Sequence, residues 1–96
     1  MAEELVKFRR VIDSIDSKLT KLLIERLKVI SMVAEVKKKY GLNAYDAKRI
    51  EEILANVRKI AENENFNPKL VEEIYRIIID YCIKFEKKLL GLNTNA

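Results

Sequence analysis

The chain has 96 residues, 49% of them hydrophobic and 35% charged, which suits one small folded domain and excludes a low-complexity segment. Nineteen Lys and Arg stand against 15 Asp and Glu, and the two signs are interleaved; a net charge of +4 arranged this way suits an anionic small molecule and argues against a nucleic-acid binder. With no histidine and a single cysteine, Cys82, a zinc site, a Cys-His catalytic pair and an intrachain disulfide are excluded, no metal is expected, and a reducing, cytoplasmic setting is expected.

Glu3 and Glu4 stand where a secretory signal would be basic and then apolar, and no apolar run approaches the length of a membrane span. A first helix is predicted over about residues 3–40, ended by Gly41 as a left-handed cap. Steps of three and four residues along it collect Leu5, Phe8, Ile12, Ile15, Leu19, Leu22, Arg26, Val29, Val33, Val36 and Tyr40. This is an apolar seam broken once, by an arginine. At 1.5 Å per residue the helix is roughly 57 Å long, more than a compact chain of this size needs, so a second copy is expected to cover it. A second helix is predicted over about residues 47–64 with Asp46 as its N-cap, presenting Ile50, Ile53, Leu54, Val57 and Ile60 on one face. Asn67-Pro68 reads as a cap and first-turn proline for a third helix over about residues 69–90, with Val71, Tyr75, Ile78, Cys82, Phe85 and Leu89 inward. The expected fold is all-α: one domain over residues 1–96, a three-helix chain with a long first helix, paired in an intertwined homodimer.

Arg26 on the apolar seam has two readings. Its charge is met by a buried carboxylate that sets register, or by an anionic ligand held inside the bundle. Lys37 lies eleven residues on, nearly three full turns, so it projects from almost the same face about 16 Å along the axis. Arg9, seventeen residues before Arg26, is about 25 Å away and cannot share a ligand with it within one helix. From an antiparallel partner chain it can. Cys82 and Glu86 form an i, i+4 pair on the third helix; alone they read as a small buried residue and an exposed ion-pair partner.

Taken in order, these positions resemble the all-helical chorismate mutases. The residues that carry the resemblance are Arg9-Arg10-Val11-Ile12-Asp13-Ser14-Ile15-Asp16, then Leu19, Leu22-Leu23 and Glu25-Arg26, Lys37, Asp46 with Arg49, and Ile77-Ile78-Ile79-Asp80 followed by Cys82 and Glu86. The resemblance covers about residues 5–90. It implies an intertwined dimer whose pocket is completed by the partner's first helix, with Arg26 and the partner's Arg9 on the substrate carboxylates. Lys37 would touch a carboxylate and the ether oxygen, Arg49 with the Asp46 backbone would order the ring side, and Glu86 would face the ether oxygen.

The reaction so implied, chorismate to prephenate, is a one-step pericyclic rearrangement that calls for no cofactor, nucleophile or metal. It is accelerated by holding the compact conformer and stabilising charge on the ether oxygen as the carbon–oxygen bond breaks. Three positions depart from the family pattern. Ile50 stands where a glutamate often binds the substrate hydroxyl, Cys82 replaces a frequent serine, and Glu86 stands where many bacterial members have glutamine. A deprotonated Glu86 would repel the developing negative charge whereas a protonated one can donate a hydrogen bond, so activity is expected to fall as pH rises. Relatives that release pyruvate from isochorismate can also be apolar at the Ile50 position, which makes an isochorismate pyruvate lyase the nearest alternative. A non-catalytic dimeric helical module is the other.

Overall fold

The computed structural model describes residues 2–91. Three helices account for most of them: α1 (Glu3–Tyr40), α2 (Ala47–Asn63) and α3 (Pro68–Leu89), with no strand among the described residues. The all-helical, three-helix fold agrees with the sequence expectation, and each helix ends within a residue of where its capping chemistry placed it.

Those caps explain the boundaries. α1 carries Glu3 and Glu4 in its first turn and Lys37, Lys38 and Lys39 in its last, each sign complementing the helix dipole by about 0.3–1 kcal/mol. It stops at Gly41, whose φ of +65° lets the Gly41 N–H reach the Lys38 carbonyl and the Leu42 N–H reach the Lys37 carbonyl, a Schellman motif. α2 starts where the Asp46 carboxylate accepts the Arg49 N–H at 3.1 Å. It ends in a second Schellman motif, with Asn65 at φ +54° as the left-handed residue and the Phe66 N–H bonded to the Ala61 carbonyl. Asn67 caps α3 through the Lys69 N–H, with Pro68 in the first turn, where a missing N–H costs nothing.

The chain divides into two compact units, Met1–Ile30 and Ser31–Ala96, and α1 contributes to both. In the first unit no described side chain is buried. Phe8, Ile12, Ile15, Leu19, Leu22 and Val29, the apolar seam of the sequence, are all exposed.

The second unit holds the core. α2 and α3 pack against each other, burying Leu54, Val57 and Ala61 on one side and Ile79 and Cys82 on the other; Ala34 of α1 and Ala44 of the α1–α2 connection are buried as well. Leu54 is fully enclosed, which contributes about 1.5–3 kcal/mol. Arg58 of α2 pairs with Glu72 of α3 across the packing, and Arg76 approaches the same carboxylate from one turn on.

Leu54, Val57 and Cys82 are buried as expected, and the faces differ from expectation toward the helix ends. On α2 the inward residue of the last turn is Ala61, while Ile60 is exposed; on α3 the inward line runs Ile79, Cys82, Glu86, while Leu89 is exposed. A count of apolar residues alone passes over a charged one. Here the buried line continues through Glu86, where the Lys37 ammonium meets it.

Candidate active site

Glu86 is buried to 5% exposure in the last turns of α3, one helical turn after the buried Cys82. A carboxylate in such a place needs a partner. Its partner is Lys37, three residues before the end of α1, whose Nζ lies 2.8 Å from Glu86 Oε1; the two side chains are only 16% and 6% exposed. The approach is close but outside hydrogen-bond angles, so the contact is held by charge, and Oε1 has no aligned donor among the described residues. The lysine finds its aligned acceptor elsewhere: Nζ donates to the Ala44 carbonyl at 2.9 Å. The result is a cation and a carboxyl group facing each other in a nearly dry setting, each with hydrogen-bonding capacity left for a ligand.

Around this pair the other expected residues are placed unevenly. Ile50 on the first turns of α2 is half-buried. Asp46 is exposed, and its side chain is committed to capping α2. Arg49 is exposed and turns its guanidinium to Glu52 at 3.4 Å along the same helix. Arg9, exposed, and Arg26, half-buried, belong to the first unit. Glu86, which read by itself as an exposed ion-pair partner, is the most buried charged residue described. A groove of about 250 Å³ lined by Ser31, Ala34, Glu35, Lys38 and Leu89 also lies in the second unit. It contains none of these site residues, and the buried ion pair is the more demanding chemistry. Among the described residues no group of carboxylates and cysteine is arranged to hold a metal, and no helix is long and apolar enough to cross a membrane.

The Ala44 carbonyl, the aligned acceptor of Lys37, is the contact that residue types did not reveal. Gly41 marked the turn, but a backbone acceptor leaves no trace in residue identity, and only the path of the connection brings it to Lys37.

The family model for type II chorismate mutases matches residues 8–87, a span that contains Arg9, Arg26, Lys37, Arg49 and Glu86. The chain belongs to the type II chorismate mutase family. Among the proteins similar to this mutase-family chain is a chorismate mutase of Methanocaldococcus jannaschii, 32% identical over 95 residues that make up 99% of this chain and 96% of that protein. The T-protein of Enterobacter agglomerans is 40% identical over 79 residues, 82% of this chain, and a bifunctional chorismate mutase/prephenate dehydratase of Aquifex aeolicus is 33% identical over 90 residues, 91% of this chain. The chain spans 21% and 25% of the length of those two bacterial relatives.

Proposed function

We propose that this chain is a chorismate mutase of aromatic amino acid biosynthesis, a single catalytic domain acting in the cytoplasm as a homodimer and converting chorismate to prephenate without a cofactor. The observation that carries the reading is the Lys37–Glu86 pair at 2.8 Å, almost closed to water, in a chain of this family. A largely shielded ammonium is suited to the ether oxygen on which negative charge develops, because a preorganised cation with little water around it loses less to solvent screening.

In this reading Arg26 and Arg9 hold the two substrate carboxylates, with Arg9 supplied by the partner chain. The planar fork of arginine binds carboxylates in pairs of hydrogen bonds and keeps the substrate in its compact, reactive conformer. The exposed line Phe8, Ile12, Ile15, Leu19 and Leu22 supports the homodimer, since a contiguous apolar face of this length calls for a covering surface. Arg49 and Asp46 order the ring side of the substrate, and Cys82 lies one turn from Glu86 at the same wall.

Ile50 favours one second reading, an isochorismate pyruvate lyase, because a half-buried apolar side chain there offers the substrate hydroxyl no hydrogen bond. Purified protein supplied separately with chorismate and isochorismate tests both. Loss of chorismate absorbance with prephenate as product, slowed by orders of magnitude in Arg26→Ala and Lys37→Ala, is the expected result. Salicylate from isochorismate with chorismate untouched would replace the first reading by the second, and no turnover of either would leave a helical interaction module.

A further inference from the structure

Lys37 is tied at two points to the turn that follows its own helix. Its backbone carbonyl accepts the Leu42 N–H at 2.8 Å, and its ammonium donates to the Ala44 carbonyl at 2.9 Å. The first tie depends on the left-handed conformation of Gly41 at φ +65°, a backbone shape that residues with a Cβ rarely adopt. A Cβ at Gly41 would meet nothing within 4 Å, so conformation and not space restricts this position. Ala44 is itself buried at 4% exposure, which packs the residue bearing the acceptor into the core. The neighbouring Lys38 and Lys39 are exposed, and Lys39 lies over the Tyr40 ring.

The two contacts of the ammonium differ in kind. Glu86 Oε1 attracts it by charge, at an angle that gives no direction; the Ala44 carbonyl holds one N–H in line. An ammonium has three N–H groups, so a ligand oxygen can take another while the Ala44 bond persists. We propose that the turn of residues 41–46 is a positioning element for Lys37, in which Gly41 sets the turn and the Ala44 carbonyl keeps the ammonium aimed while Glu86 exchanges its ion pair for a bound ligand. Gly41 and Ala44 are thus positioning residues that touch no substrate. The inference rests on reading Lys37 as the cation of the mutase reaction, but the hold itself exists without substrate.

Two measurements on the whole chain test it. The first is solvent exchange of lysine ammonium protons by nitrogen-detected NMR without ligand. Lys37 exchanges measurably more slowly than Lys38 and Lys39 in the wild type, loses that protection in Gly41→Val, and retains it in Gly41→Asn, because asparagine tolerates the left-handed conformation. The second is a double-mutant cycle on chorismate turnover. Gly41→Val lowers activity by on the order of tenfold or more, as small misplacements of catalytic groups do. Gly41→Asn restores it, and Gly41→Val adds less than about twofold in a Lys37→Ala background. Lys37 exchange as fast as that of Lys38 in the wild type would overturn the proposal, even if Gly41→Val does not fold; so would losses that multiply in the double variant. Protection of Lys37 without any chorismate turnover would sink the proposed reaction and leave the hold standing.

Discussion

Lys37 Nζ and Glu86 Oε1 lie 2.8 Å apart, joining the end of α1 to the last turns of α3 through the one buried charged side chain described. The pair has a structural and a chemical consequence, and the two can be measured separately.

For the chemistry, only a protonated Glu86 can donate to the ether oxygen, while the carboxylate repels the charge that develops there and competes for the Lys37 ammonium. Glu86→Gln places a neutral N–H donor at this position and is expected to raise kcat/KM for chorismate. A glutamine variant with kcat/KM no higher than that of the wild type would remove Glu86 from this role.

For the structure, Lys37→Met leaves the buried Glu86 without its counter-charge. Breaking a fully buried pair costs about 3–5 kcal/mol; because the lysine is still partly wet, about 2–3 kcal/mol is expected in urea unfolding. Adding Glu86→Met to Lys37→Met should recover most of the loss, since a well-packed apolar pair removes the desolvation penalty. Both variants should be inactive. A double variant no more stable than Lys37→Met would show that the carboxylate is not what strains the single one.

Arg26→Ala is expected to reduce activity by on the order of 10²–10³-fold, the range for removing one preorganised charge-stabilising group. Arg26→Lys should recover little of it, because a point charge does not reproduce the guanidinium fork. Full activity in the lysine variant would indicate that charge alone matters at this position.

Arg9 acting from the partner chain predicts complementation. Arg9→Ala and Lys37→Ala each retain only residual activity alone. A heterodimer of the two contains one site with Lys37 from one chain and Arg9 from the other, both intact, so mixing after unfolding and refolding together restores activity. If Arg9 served its own chain, every site in the mixture would lack a residue and no activity would return.

The exposed α1 seam gives a test of assembly. Ile12→Asp or Leu19→Asp places a charge on that face, and sedimentation should show a shift to monomer with loss of activity. An aspartate variant that keeps the wild-type mass and activity would mean that another surface joins the chains.

Much of this molecule was legible along the chain. The helix boundaries follow from local chemistry: Gly41 and Asn65 provide left-handed caps, Asp46 and Asn67 accept first-turn N–H groups, and Pro68 sits where its missing donor is harmless. The seam of α1 and the irregularity of Arg26 within it were visible for the same reason, since helical periodicity needs only spacing. Family membership was legible too, because the ordered charges of three helices survive as a pattern of residue types.

What only the tertiary structure decided is which charges are inside. Glu86 is flanked in sequence by Lys84, Lys87 and Lys88 and has the composition of a solvated face, yet it is buried because the end of α1 brings Lys37 against it. The Ala44 carbonyl became the lysine's aligned acceptor through the path of a six-residue connection, and a backbone oxygen has no signature in sequence. Burial and pairing are properties of elements meeting in space: desolvation makes an isolated charge costly, and only a partner from another helix makes it tolerable.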